Sequence, residues 1–293
     1  MLNKFADACK EFGLTISIKK TQVMGLNTPS YPMLYLEGQL LEAVDDFVYL
    51  GSNISSSATL DTEIKRRIAK ASSTMSRLSK RVWDNKKVTK ATKMKVYQAC
   101  VISILLYGSE SWATKAHQEN QLESFHMRCL RRIFGIKWHD RVTNTEVLKE
   151  ADTLSIHLQL CKRRLRWLGH VRRMQDGRIP KDLLFGELQE GKRRVGCPQL
   201  RFKDVVKRDL KYTGIDHTTW EKEAEDRDNW KSLVNEKISD GEEERRETLK
   251  LKRQRRKARE CKPPLRVMPC LHCRTVFVTQ RNLYLHLCTS HNN

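Results

Sequence analysis

The spacing of apolar residues changes character once along the chain. Over the first twelve residues Leu2, Phe5, Ala6 and Cys9 recur at three and four, one face of a helix that Gly13 stops. Leu14, Ile16 and Ile18 then alternate with Thr15, Ser17 and Lys19, which predicts a half-buried strand. Met33–Glu42 reads as two short strands around a tight turn at Glu37-Gly38-Gln39. Phe47 to Gly51 is another short extended run ending in Gly. The first fifty residues therefore predict a helix followed by a small sheet.

From Thr59 the period becomes helical and stays so. Leu60, Ile64, Ile68, Met75, Leu78 and Val82 form one stripe, with Lys65, Arg66, Arg67 and Lys70 off it. Lys90–Tyr107 is a second helix, apolar enough in its later half to be buried on most sides and ended by Gly108. Leu122, Phe125, Cys129 and Ile133 make a third stripe, closed by Gly135. Thr143 and Glu146 have the spacing of a capping box and open a fourth helix. Leu154, Leu158, Cys161, Leu165 and Leu168 make a fifth, ending near Gly169 or Gly177. Glu190–Pro198 is a Gly-, Pro- and Arg-rich loop, and Pro198 suits the first turn of a helix that turns Phe202, Val205, Val206 and Leu210 inward until Gly214. Trp220, Ala224, Trp230, Leu233 and Ile238 suggest a last pair of helices. Gly241–Glu260 is almost wholly charged and lacks an apolar face, so it is either a solvent-exposed helix or a disordered linker.

The last stretch carries the clearest chemistry. Two residues separate Cys270 from Cys273, twelve separate Cys273 from His286, and four separate His286 from His291. Two thiolates on a turn and two imidazoles on one helix face are the ligand set of a Cys₂His₂ zinc site. Phe277 and Leu283 fall where the ββα fold of such a finger needs its core. A module of about 25 residues buries too little apolar surface to fold unaided, so zinc must supply most of its stability. His272 and Cys288 are ligands by type only, and Cys288 breaks the helical spacing. Counting back from His286 places Thr279, Asn282 and Leu285 at the base-facing positions of the helix, with Arg281 between them able to reach a phosphate or a base.

Charge enlarges that picture. The 293 residues carry a net charge of +21, with Lys and Arg spread along the chain, which points to a polyanion and first to nucleic acid: RNA, an RNA–DNA hybrid or DNA. The fifth helix concentrates Lys162, Arg163, Arg164, Arg166, Arg172 and Arg173 beside Trp167 and His170. That cluster is either the solvated face of a core helix or a surface that grips phosphates and stacks a base. Seven of ten residues from Lys250 to Arg259 are basic, a nuclear-import signal, a phosphate-binding arm or plain solvation in equal measure. Nine cysteines without a paired framework, no apolar signal core and no membrane-spanning run predict a nuclear or cytoplasmic protein without a membrane partner.

The stretches Phe5–Met24 (F-A-D-A-C-K-E-F-G-L-T-I-S-I-K-K-T-Q-V-M) and Phe47–Ser52 (F-V-Y-L-G-S) resemble the palm segment and primer-grip turn of non-LTR (LINE-type) retrotransposon reverse transcriptases. L-L-Y-G-S-E-S-W at Leu105–Trp112, R-C-L-R-R-I-F-G-I at Arg128–Ile136, R-W-L-G-H-V-R-R-M at Arg166–Met174, and Gly196-Cys197-Pro198 followed by Arg201-Phe202-Lys203-Asp204 are similar to that family's thumb and post-thumb region. The resemblance runs in unbroken order over about residues 1–240. It implies a mainly α fold: a partial palm and primer-grip piece (1–57), thumb-like helices (58–115), a basic helical post-thumb region (116–239), a charged linker (240–264) and a Cys₂His₂ finger (265–293). In the family the metal-binding aspartates precede the palm segment, and Asp7, Asp45, Asp46 and Asp61 do not stand in those motifs, so the resemblance implies a non-catalytic piece of an RNA-directed DNA polymerase.

Overall fold

The computed structural model describes residues 2–26, 28, 30, 33–186, 200–260 and 268–291. It is mainly helical and divides into two compact units, 1–242 and 243–293.

The first unit opens with α1 (Leu2–Glu11), after which Gly13 turns in the left-handed region. The expected strand at Leu14–Ile18 does not form: Ile18–Lys20 is a short 3₁₀ turn, and Leu14 is exposed. An alternating segment becomes a strand only beside a partner, and none lies alongside. Instead Ile16 and Ile18 pack on a small cluster of Ala6, Leu36 and Leu41. β1 (Gln22–Val23) runs parallel to β4 (Glu42–Ala43), while β2 (Tyr35–Leu36) and β3 (Gln39–Leu40) pair antiparallel across Glu37-Gly38. Both turn residues have positive φ, 51° and 76°, as a two-residue hairpin turn requires. β5 (Asp46–Tyr49) and an unforeseen β6 (Ser52–Ser55) form a second hairpin, again over two left-handed residues, Leu50 and Gly51.

That hairpin is bolted to α2 (Asp61–Arg77). Glu63 accepts from the Asn53 amide at 2.7 Å and from Arg67 Nε at 2.6 Å, and Arg67 donates onward to the Gly51 carbonyl at 2.7 Å. Arg67, expected on the solvated side, is thus buried, and its partner and the turn carbonyl are what make that burial tolerable. α2 continues through a π turn at Ser79–Trp83, where Trp83 donates its indole hydrogen to the Met75 carbonyl at 2.8 Å.

The predicted Lys90–Tyr107 helix is α3 (Lys90–Val96), a π stretch at Tyr97–Ile102 and α4 (Ser103–Leu105), ended by Gly108 at φ 72°. α5 (Ala116–Phe134) ends at Gly135, φ 70°. α6 (Asn144–Glu150) has both halves of its capping box, the Glu146 amide donating to Thr143 Oγ1 and the Thr143 amide to Glu146 Oε2. α7 (Ile156–Arg172) follows, then α8 (Ile179–Phe185) and α9 (Phe202–Thr213), which Gly214 ends. The Glu190–Pro198 loop, Pro198 included, lies outside the described residues, and α9 begins at Phe202. α10 (Trp220–Glu223) is a single turn, and α11 (Arg227–Glu260) runs on through the charged stretch, so that stretch is helical.

α7 is the wall between two hydrophobic clusters. Ile156 and Leu160 belong to one, with Ile64, Tyr97, Leu105, Leu122 and Leu130. Leu158, Cys161, Leu165 and Leu168 belong to the other, with Val206, Leu210, Trp220 and Trp230. Gly169 therefore sits inside the helix and does not end it. A Cβ there would lie 2.4 Å from the Trp230 indole, whose Nε1 donates to the Leu165 carbonyl at 2.9 Å.

Arg164 crosses the same wall with no solvent exposure. Its Nε and Nη2 donate to the two carboxylate oxygens of Asp209 at 2.5 and 3.1 Å, and its Nη1 donates to Thr114 Oγ1 at 3.1 Å. Thr114 in turn donates to Glu119 at 2.6 Å, and Glu119 also receives Arg208 at 2.8 Å and faces His157 Nδ1 at 2.6 Å. Burial pushes the Glu119 carboxyl up, but the hydrogen bonds from His157 and Thr114 and the charges of His157 and Arg164 outweigh it and hold the pKa at about 2. Nearby, His126 is fully buried against the Tyr97 hydroxyl at 2.8 Å, and burial drives its pKa down to about 3.

Gly169→Ala should therefore cost about 1–3 kcal/mol or more by overpacking, read as a lowered melting temperature together with shifted Trp fluorescence. Both depressed groups take up protons more readily in the unfolded chain, so the stability they confer is complete above their unfolded pKa values and lost on acidification. In equilibrium unfolding against pH, His126 should cause a decline from about 6.5 toward 3, and Glu119 a second from about 4.5 toward 2. The pair Tyr97→Phe with His126→Leu should remove the first limb and leave the second.

Candidate metal centre and nucleic-acid surfaces

In the second unit β7 (Met268–Pro269) pairs antiparallel with β8 (Val276–Phe277). Between them the chain turns through Arg274 at φ 59°, its amide donating to the Cys270 carbonyl and the Cys270 amide to the Thr275 carbonyl, each at 2.8 Å. This turn brings Cys270 and Cys273 together. α12 (Gln280–Ser290) is opened by Thr279, whose hydroxyl accepts from the Asn282 amide at 3.3 Å, and His291 stands at its carboxyl end. Phe277 packs its ring 4.7 Å from that of His286, and Leu283 is half-buried beside it in the sequence of the helix.

The donor atoms of Cys270, Cys273, His286 and His291 all lie within 4.8 Å of one another. Cys273 Sγ is 3.1 Å from His286 Nε2, which is 3.2 Å from His291 Nε2. Zn–S and Zn–N bond lengths give tetrahedron edges of about 3.4–3.8 Å, so the four donors fit a zinc ion without rearrangement of the backbone. The thiol of Cys273 is held down to about 5, first by the Thr275 hydroxyl 3.0 Å away, then by the Thr275 amide and His291, which favours the thiolate that a metal needs. His272 stacks 5.0 Å from His291 and Cys288 is exposed; neither joins the cluster. Thr279, Arg281, Asn282 and Leu285 are all exposed on α12.

The six cations expected on one face of α7 separate into three groups. Arg164 is not on a surface at all: it is the buried partner of Asp209, so it is withdrawn as a nucleic-acid contact. Arg172 is paired with Glu221 and Glu225, and Arg173 donates to the Ala224 carbonyl at 2.6 Å, so both are spent on anchoring α10 and the turn after it. Lys162, Arg163, Arg166, Trp167 and His170 line an open cleft of about 800 Å³. Among the described residues neither Lys162 nor Arg166 has an ion-pair partner. Burial lowers the pKa of both Lys162 and Arg163; Arg166 lowers both further, while Glu110 draws that of Arg163 upward. Glu110, Asp152 and Gln98 are among the other residues that line the cleft. Sequence reading had no signal for those three, because they come from separate segments that only the packing of α3 to α7 brings together.

A Caenorhabditis elegans protein described as transposon-derived and uncharacterized is 28% identical over 246 residues, covering 80% of this chain and 87% of its own. That similarity supports a transposon origin for the chain. No protein-family model and no solved structure matches it. No helix among the described residues is long and apolar enough to cross a membrane.

Substituting Cys273→Ser with His286→Ala should abolish stoichiometric metal uptake, followed by cobalt absorption or zinc competition. Chelation should unfold the finger while the near-ultraviolet signal of the buried tryptophans in 1–242 stays unchanged.

Proposed function

We propose that this chain is a nucleic-acid-binding, zinc-binding piece of a non-LTR retrotransposon reverse transcriptase that acts by holding RNA, RNA–DNA hybrid or DNA rather than by polymerising it. The observation that carries the reading is the Cys/His cluster: four donors within 4.8 Å of one another, with Thr279, Arg281, Asn282 and Leu285 exposed at and along the helix that carries His286. Asn282 is suited to bidentate recognition of adenine, worth about 1–3 kcal/mol of discrimination, whereas Leu285 offers apolar contact only. One finger spans about three base pairs, too few to select a single site. Its contribution adds to that of the basic helices, and the net charge of +21 supports that division.

The transposon-derived relative supports the lineage, and the ordered motifs from Phe5 to Asp204 supply the finer assignment to reverse transcriptases. Asp46 and Asp61, which do not stand in the family's metal-binding motifs, have local roles instead: Asp46 accepts from Asn53 in the hairpin and Asp61 from Gln118 of α5. A protein-contact role for the finger is the second reading. It is favoured by Leu271, 93% exposed, together with Val276, Val278 and Tyr284 on the finger surface.

Anisotropy titrations with structured RNA, RNA–DNA hybrid and duplex DNA separate these. The zinc-loaded chain should bind all three, losing roughly forty-fold in duplex affinity between 50 and 200 mM salt if about three phosphates are neutralised. Deleting Lys262–Asn293 should weaken RNA and hybrid binding without abolishing it. Complete loss would instead make the chain a stand-alone zinc-finger DNA binder, and no binding by the intact chain would leave only the protein-contact reading.

A further inference from the structure

The cleft along α7 is not isolated. A second cavity, of about 480 Å³, shares two of its wall residues, Glu110 and Arg163, and extends the depression to the β5–β6 hairpin past Tyr107. The two together form one groove with a ridge at its middle.

The groove's hardware is fixed in place. Arg163 donates Nη1 to the Leu106 carbonyl at 3.1 Å. Tyr107, half-exposed, donates its hydroxyl to the Leu50 carbonyl at 3.2 Å, and its ring lies 4.6 Å from the Arg67 guanidinium carbon. At the other end Trp167 is half-buried, its ring 5.2 Å from that of His170. Between these aromatic stations stand Lys162 and Arg166, neither of which has an ion-pair partner among the described residues. From Lys162 to His170 is about 12 Å of helix.

A duplex has little use for this arrangement. It turns its phosphates outward and hides its base faces, so aromatic rings sunk in a cleft find nothing to stack on. Unpaired nucleotides can enter: phosphates meet the cations and base planes meet the rings, against the repulsion of the Glu110 carboxylate. We infer that the groove binds a single-stranded segment of nucleic acid, its phosphates on Lys162, Arg163 and Arg166, its bases on Tyr107 and Trp167, with Glu110 holding the affinity down at the ridge. The inference rests on the nucleic-acid reading above and narrows it to unpaired strands on the first unit.

The test uses the full zinc-loaded chain and fluorescein-labelled 12-mers: single-stranded RNA, single-stranded DNA, and blunt duplexes of the same sequence. Single strands are expected to bind at least about five-fold more tightly than duplexes. Glu110→Gln should tighten single-strand binding about three- to ten-fold and leave duplex binding unchanged. Arg166→Ala should weaken single-strand binding several-fold and reduce the salt slope by about 0.7, the value for one phosphate on a single strand. Trp167→Ala should weaken it ten-fold or more and Trp167→Phe should largely restore it, with melting temperatures confirming that each variant folds. A preference for RNA through its 2′-hydroxyl would assign RNA as the natural strand, and equal behaviour of RNA and DNA would assign the groove to single strands of either kind. Duplexes that bind as well as single strands, or single-strand binding indifferent to Glu110→Gln and Arg166→Ala, would overturn the groove while the nucleic-acid reading stands. Failure of every probe to bind would remove both.

Discussion

The buried guanidinium of Arg164 is the constraint around which the helical body is arranged. An ionised side chain without solvent contact is tolerable only when its charge is matched and its donors are met, and losing one partner of such a pair typically costs about 3–5 kcal/mol. Asp209 on α9 supplies the charge and Thr114, just before α5, supplies a further acceptor. Glu119, His157 and Arg208 extend the chain of contacts from α5 through α7 to α9. Three helices distant in sequence are thus tied by directional bonds as well as by apolar packing, which has no preferred register. The network sets which face of α7 is buried, and by elimination which cations remain outside.

This explains both what the sequence shows and what it conceals. Helix boundaries are local matters, so the left-handed glycines at 108, 135 and 214 and the Thr143–Glu146 box mark them where spacing says they should. Cys₂His₂ spacing is likewise a local code, and the four donors converge as it implies. Burial of a charge is not local. Arg164, Arg67, Arg166 and Lys162 look alike in a string of letters; what separates them is whether an acceptor from another element arrives, as Asp209 does for Arg164 and the Gly51 carbonyl for Arg67. Gly169 misled for the same reason, because the indole that requires its missing Cβ stands 61 positions away at Trp230. The failed strand at Leu14–Ile18 belongs here too: alternation proposes a strand, but only a neighbouring strand makes one.

The two units owe their stability to different physics. In residues 1–242 it comes from two hydrophobic clusters and the ionic network across them. Among the described residues of the finger only Cys270 is buried, so a metal would stand where a core would be. Metal supply would therefore act on the finger, whereas protons act on both units: on Glu119 and His126 in the helical body and on the Cys273 thiolate that a metal needs.

The place of α7 in two clusters at once has a consequence for how the chain tolerates change. A helix that lines one core can drift in sequence while its neighbours repack around it. A helix that lines two must satisfy both with a single set of rotamers, and a repacking that suits Trp230 on one side disturbs Leu130 on the other. Substitution in this helix is thereby confined to the few positions that face the groove, and that face becomes the part of α7 free to be retuned without refolding the rest.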